Sequence, residues 1–290
     1  MANPIAVPHL SHVTVTPVQP LIGAEISGIE IAKASAAELD LIHKALLRYK
    51  VIFFRDQHLS RAQHVAFGRY FGELEVHPLS AHPEHPEMLV LDSIGGLKEG
   101  RQAPAADFWH SDTTFRETPS AASILMGYVI PPLGGDTLWC NTVAVYEGLD
   151  DALKERIETL QAVHSGLVSF GRHLDTEEKR AAFLERHPPR VHPVVRIHPE
   201  TGERILNVNS GFTTHILGVS EDESHALLTR LFDEIKRPEY QVRFRWQPRS
   251  IAFWDNRSTQ HYGVADYTGP RHLERVTVVG DRPVGPGGQP

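Results

Sequence analysis

The segment Trp109-His110-Ser111-Asp112-Thr113-Thr114-Phe115 sets an imidazole and a carboxylate two residues apart. In an extended chain residues i and i+2 point to the same side, so His110 and Asp112 are expected to grip one ion from one strand. A third ligand must come from elsewhere. The candidate is His261, in Trp254-Asp255-Asn256-Arg257-Ser258-Thr259-Gln260-His261-Tyr262, just past a strongly apolar run. Two histidines and one carboxylate form a facial set that leaves three octahedral positions open, which suits a ferrous ion that must take a bidentate cosubstrate and then dioxygen. The ligand set alone also fits a catalytic zinc with three protein ligands and a water, as in a metallohydrolase. Alone, an H-x-D pair is a weak signal, and its plain reading is a half-buried histidine beside an ordinary strand carboxylate.

Arg271 and Arg275 lie ten and fourteen residues beyond His261. In a segment that reads as turn and then strand, residues four apart face the same interior. A guanidinium pairs in bidentate fashion with a carboxylate or sulfonate, so two of them near a metal could seat two different anions. Without the metal set, the same pair would read as a solvated basic edge.

The elements that must carry these groups are legible in outline. Ser35-x-x-Glu38 is a capping box leading into Leu39, Ile42 and Leu46 at helical spacing, followed by the buried strand Val51-Ile52-Phe53-Phe54. A second helix is predicted from Ser60, with Gly72 stopping it, and residues 73 to 107 read as loop-rich. Short apolar runs at Ala122–Met126, Thr137–Cys140, Val191–Ile197 and Ile205–Val208 alternate with breaks such as Pro131-Pro132 and Gly134-Gly135, which suggests a sandwich or barrel. A helix is predicted over Asp151–Leu160, and Thr176–His187 reads as a polar helix or lid with little apolar periodicity. Ser220-x-x-Glu223 opens another with Leu227, Leu228, Leu231 and Ile235 as its stripe. Gln241–Trp246 and Ile251–Trp254 read as strands flanking a turn, and Arg275–Val279 as the last strand before a tail expected to fray from Arg282.

Composition excludes several classes. A formal charge of -7 and the lack of a dense basic run give no attraction for nucleic acid. No apolar stretch nears the roughly 20 residues of a bilayer span and the start has no signal-peptide pattern, so cytoplasmic residence is the default expectation. Cys140 is the sole cysteine, so any metal must rely on His, Asp or Glu. No repeat or linker divides the 290 residues, which are read as one domain with residues 283–290 as a disordered tail.

Taken together the motifs resemble the taurine dioxygenase (TauD/TfdA) family of Fe(II)/2-oxoglutarate-dependent dioxygenases. The resemblance runs from Leu21-Ile22-Gly23-Ala24-Glu25-Ile26-Ser27-Gly28 through Val51–Gln57, Phe71-Gly72-Glu73-Leu74, Trp109–Phe115 and Gly134-Gly135-Asp136-Thr137-Leu138-Trp139. It continues through His192–Arg196 and Gly211-Phe212-Thr213-Thr214 to Trp254–Tyr262. It implies a double-stranded β-helix, the jelly roll of the clavaminate synthase-like proteins, mainly β with flanking helices. It implies Fe(II) on His110, Asp112 and His261, with 2-oxoglutarate as cosubstrate, its distal carboxylate held by Thr137 and Arg271, and O2 as oxidant. It also implies a substrate anion on Arg275 assisted by His77, the backbone N–H of Thr113 at the same site, and aromatic walls from Phe170 and Phe212.

The family's reaction would hydroxylate the carbon beside sulfur, releasing an aldehyde with sulfite or sulfate while 2-oxoglutarate becomes succinate and CO2. Ser80 and Ala106 stand where the family has a tyrosine and an asparagine, so partners for a taurine ammonium are lost. A small anionic sulfonate or alkyl sulfate ester with a larger, less polar tail is therefore expected. The alternatives are the same chemistry on a carboxylate such as an aryloxyalkanoate, a metal-dependent hydrolase, or a binding protein that kept the barrel. Family members are often dimers or tetramers, so a homo-oligomer is expected.

Overall fold

Four consecutive apolar residues, Val51-Ile52-Phe53-Phe54, need a strand with both faces covered, and the structure, a computed structural model describing residues 10–76, 82–93 and 107–288, provides it. The strands are β1 Thr14–Pro17, β2 Ala24–Ser27, β3 Val51–Phe54, β4 Met88–Asp92, β5 Ala122–Val129, β6 Thr137–Asn141, β7 Gln161–His164 and β8 Arg190–Pro193. They continue with β9 Val195–Ile197, β10 Arg204–Leu206, β11 Thr213–Ile216, β12 Gln241–Phe244, β13 Ile251–Asp255, β14 Thr259–Gly263 and β15 His272–Val278. The helices are α1 Ala36–Tyr49, α2 Arg61–Tyr70, α3 Thr142–Gly148, α4 Asp151–Ile157, α5 Leu167–Phe170, α6 Glu177–Arg186 and α7 Glu221–Ile235.

A seven-stranded sheet, β1-β2-β3-β13-β5-β15-β4, packs on the three-stranded sheet β12-β6-β14, and two smaller sheets, β11-β7-β8 and β10-β9, extend the second layer. The side-chain period of two sorts the large sheet's residues between two cores. On β3 and β13, Ile52, Phe54, Ile251 and Phe253 face α1 and α2, where Leu41, Ile42, Ala45, Leu46 and Phe67 cover them. Val51, Phe53, Ala252 and Trp254 point the other way, onto Trp139, Val242 and Phe244 of the small sheet. Phe53 stacks on Phe244 at 4.2 Å between ring centroids. Burying each such side chain contributes about 1.5–3 kcal/mol, so the central strands anchor both layers. The outer face of the small sheet is closed by α3, α4 and α7 through Val145, Leu153, Leu228 and Leu231, against Cys140. Two sheets closed by helices in this way form the jelly roll expected from the resemblance.

The capping boxes predicted at Ser35 and found also at Ser60 are complete, with serine and Glu38 or Gln63 bonded reciprocally. At Ser220 only half the box forms: its side chain accepts from the Glu223 N–H, while the Glu223 carboxylate is drawn off to Arg156 at 2.6 Å. Other departures are topological. The stretch 73–107, read as loop-rich with no strand picked out, contains β4, which pairs with β15 at the sheet edge. β12 and β13, predicted to flank one turn, belong to different sheets, because a strand that turns between layers looks in sequence like one that turns back on its neighbour. In the tail expected to fray, the Val284 carbonyl accepts from the Ile197 N–H, and Pro283 and Gly285 are buried.

Candidate metal centre

Strand register decides which side chains reach the space between the two sheets. In the large sheet, Leu273 of β15 belongs to the inter-sheet core, while Val276 and Val278 face the helices, so Arg275 shares the inward face of Leu273. Ser123 of β5 pairs with Trp254 and Thr277 and takes the same inward face as Leu125. In the small sheet His261 lies directly opposite the buried Trp139, and Thr137 is two residues from that tryptophan.

His110 reaches the site by a bridge rather than a strand. Its N–H donates to the His261 carbonyl at 3.1 Å and its carbonyl accepts from the His261 N–H at 2.8 Å. The chain then turns at once, closing with the Arg116 N–H on the Thr113 carbonyl, and Thr113 takes a φ of +55°. The expectation that His110 and Asp112 grip from one strand is thus corrected: Asp112 is brought round by a turn. A left-handed β-branched residue is costly, by about 1–3 kcal/mol. The conformation is held by the Thr113 hydroxyl, which accepts from the Ser120 N–H at 3.0 Å.

The result is a tight, buried cluster. One ligating atom from each of His110, Asp112 and His261 lies within 4.8 Å of the others, the only such group of three or more among the described residues. Both histidine Nε2 atoms are 3.9 Å from Asp112 Oδ1, and the imidazole centroids are 4.1 Å apart. His110 Nδ1–H donates to the Phe108 carbonyl at 2.9 Å, which leaves its Nε2 lone pair facing the cluster. Burial depresses the basicity of His110, and burial followed by the neighbouring His110 holds His261 well below the ordinary imidazole range. Both rings are therefore neutral donors at pH 7. Burial pushes the Asp112 carboxyl up, but the Arg275 guanidinium, the two imidazoles and the Ser123 hydroxyl together override it and keep the group well below the usual carboxylate range. Two neutral imidazoles and a carboxylate with converging donor atoms fit a divalent first-row metal.

The arginines are held differently. Arg275 Nη1 is 2.9 Å from both Asp112 oxygens, while its Nε is buried with no partner. Arg271 donates from Nη2 to the Gly135 carbonyl at 3.0 Å, lies over the Tyr267 ring at 5.4 Å, and also has a buried, unpartnered Nε. Gly135, at φ +71°, admits this approach, since a Cβ there would meet Arg271 Nε at 3.1 Å. Thr137 Oγ1 accepts from the Trp246 indole at 3.0 Å, which leaves its own proton to donate. Phe212, buried beside His110 at 6.2 Å between ring centroids, and Phe170 join Phe115 and Phe183 in an aromatic wall. His77, Ser80 and Ala106 lie outside the described residues.

Several groups around this site escaped the sequence reading. Ser123 is a lone hydroxyl inside an apolar strand, a signal that could have been followed. Asn256 lies within the Trp254–Tyr262 motif without having been singled out. Nothing in the sequence marks Trp246 as the partner of Thr137.

The chain matches the family model described as taurine catabolism dioxygenase TauD, TfdA family, over residues 14–277. It is 41% identical to an alpha-ketoglutarate-dependent sulfate ester dioxygenase of Pseudomonas putida, over 97% of this chain and 94% of that one. It is 38% identical to an alkylsulfatase of Acinetobacter baylyi, over 90% and 83% respectively. A crystal structure of a taurine dioxygenase from Burkholderia xenovorans superposes with a TM-score of 0.82 at 40% identity, covering 96% of this chain and 93% of that one. Sequence, fold and the buried His-Asp-His cluster agree, and the chain belongs to the TauD/TfdA family of Fe(II)- and 2-oxoglutarate-dependent dioxygenases.

Proposed function

We propose that this enzyme, as one dioxygenase domain, hydroxylates the carbon that bears the sulfur oxyanion group, the C–O carbon of a small alkyl sulfate ester or the C–S carbon of an organosulfonate, and that the adduct collapses to an aldehyde with sulfate or sulfite respectively. His110, Asp112 and His261 hold the ferrous ion. With 2-oxoglutarate and O2 the iron supplies the two-electron oxidation, one oxygen atom going to the substrate carbon and the other to succinate, with loss of CO2.

The observation that carries this reading is the pair of half-buried guanidiniums on the inward side of β15 and its approach, each with a buried Nε that has no protein partner. Such a donor, desolvated and unpaired, is costly unless an anion completes it. Arg271 and the free hydroxyl proton of Thr137 receive the distal carboxylate of 2-oxoglutarate. Arg275, anchored by Asp112 on one side, offers its other donors to the substrate anion beside the metal. His77 assists at that anion, and Thr113 offers it a backbone N–H. Orientation is the protein's contribution: a substrate held by its anion presents the adjacent carbon to the metal.

The names of the relatives favour a sulfur oxyanion over a carboxylate. The aromatic wall of Phe115, Phe170 and Phe212 supports a less polar tail than taurine's, in keeping with Ser80 and Ala106 replacing polar family residues. A homodimer or homotetramer in the cytoplasm is the accompanying expectation. Among the described residues no helix is long and apolar enough to cross a membrane.

The test is succinate, sulfite and sulfate release across taurine, longer alkylsulfonates, alkyl sulfates and aryloxy acids, with Fe(II), 2-oxoglutarate and O2. Substrate-dependent succinate accompanied by sulfate or sulfite, lost in His110→Ala, is the expected result. Turnover confined to aryloxy acids, or taurine turned over as well as a long alkyl sulfate, would overturn the substrate reading.

A further inference from the structure

The geometry points to Ser123 and Asn256 as positioning residues that confine Asp112 to one-oxygen ligation of the metal. This rests on the triad proposed above. Four buried groups form a chain: Trp254 Nε1 to Asn256 Oδ1 at 2.8 Å, Asn256 Nδ2 to Ser123 Oγ at 2.8 Å, and Ser123 Oγ to Asp112 Oδ2 at 3.0 Å. Ser123 is wholly buried, and Trp254, Asn256 and Asp112 are nearly so.

Every bond in the chain has only one possible direction. An indole N–H can only donate, so the amide oxygen of Asn256 must face Trp254 and its NH2 must face Ser123. The Ser123 oxygen therefore accepts, and its single proton is left for Asp112, whose ionised carboxylate can only accept. Register supports the same arrangement, because Ser123 and Trp254 are direct cross-strand partners on β5 and β13.

The consequence is an asymmetric carboxylate. Arg275 Nη1 is shared between the two oxygens, but Oδ1 alone faces both histidine Nε2 atoms at 3.9 Å and Oδ2 alone is engaged by Ser123. Bringing Oδ2 round to the metal would break the serine bond and leave the buried Ser123 hydroxyl proton, which Asn256 holds in that direction, without its acceptor. A bidentate Asp112 would occupy a fourth coordination position and leave two, too few for a bidentate cosubstrate and dioxygen together. The chain thus protects the open face of the site through a residue that touches neither cosubstrate nor substrate.

The experiment uses Mn(II) in place of Fe(II), following loss of the free-ion electron paramagnetic resonance signal, and then calorimetric titration of 2-oxoglutarate into the Mn(II)-saturated protein. Ser123→Ala is expected to weaken Mn(II) binding about tenfold or more, within the range for lost outer-shell partners, and to weaken 2-oxoglutarate binding even at saturating metal. Asn256→Ala should do the same, and the double variant should be no worse than either single one, because the two residues act in series. Ser123→Thr, which keeps the hydroxyl on a strand that tolerates branching, should restore both affinities. If Ser123→Ala fails to fold, Ser123→Cys, similar in size and a weak donor, carries the same comparison. Wild-type affinities in a folded Ser123→Ala or Ser123→Cys protein, or losses that add in the double variant, would overturn the inference. Failure of the wild-type protein itself to bind Mn(II) would instead overturn the triad.

Discussion

Arg275 sets Nη1 at 2.9 Å from both carboxylate oxygens of Asp112, so the arginine proposed to receive the substrate anion also braces a metal ligand. The two roles use different edges of one guanidinium and can be separated. Arg275→Lys keeps a positive charge near Asp112 but cannot straddle it while presenting a second edge. We expect Mn(II) affinity to change little and KM for an alkyl sulfate to rise roughly ten- to hundredfold, the equivalent of one charge-assisted hydrogen bond. Steady-state kinetics at saturating 2-oxoglutarate checks this, and an unchanged KM would remove Arg275 from the substrate site.

The cosubstrate side has its own test at Gly135. A side chain there is strained at φ +71° and its Cβ presses on Arg271 Nε and the Tyr267 ring. Gly135→Ala is expected to lose about 1–2 kcal/mol of stability and to raise KM for 2-oxoglutarate about tenfold, or ~1.4 kcal/mol, while KM for the substrate stays put. Equal effects on both would mean that the change spreads beyond Arg271.

Asp255 anchors the crossing from the large sheet to the small one. Its buried carboxylate accepts from His198 Nε2 at 2.8 Å and from Arg257 Nε and Nη2 at 3.0 and 2.9 Å, and its carbonyl accepts from the Thr259 hydroxyl. Asp255→Ala strands a nearly buried guanidinium, at an expected cost of about 3–5 kcal/mol. Chemical denaturation measures it. A loss under 1 kcal/mol would show that Glu200, 2.7 Å from Arg257, suffices as its counter-ion.

Two buried histidines predict how stability responds to acid. Burial holds both His64 and His192 down to about 4, below the ordinary 6.5. Below pH 6.5 the unfolded chain binds protons at these positions that the folded chain does not, so stability falls as pH drops from 6.5 towards 4. Each contributes up to about 1.4 kcal/mol per pH unit, or roughly 4 kcal/mol for the two together by pH 5. Urea unfolding between pH 7.5 and 5 should show the decline, with a shallower slope in His192→Gln. A flat profile would mean that both rings ionise in the folded state.

The sequence alone determined most of what is local. Ser35 and Ser60 precede residues that can return their hydrogen bonds, so helix starts were readable, and the runs at 51–54 and 251–254 read as strands, the first of them buried. The convergence of His110, Asp112 and His261 was legible because metal chemistry restricts residue type, and the inward facing of Arg271 and Arg275 because a few spaced residues carry the period of a strand. Tertiary structure decided the rest. Whether β12 and β13 pair with each other or with distant strands depends on which layer each can bury its side chains against, and β4 exists because the edge of β15 needs a partner. Asp112 points at His110 and His261 through a strained turn held by Ser120, and its second oxygen accepts from Ser123, itself bonded by Asn256; these two lie 11 and 144 residues from Asp112 in the chain. Hydrogen bonds of that kind depend on register across a sheet, and register is set by the packing of both faces at once rather than by any one segment.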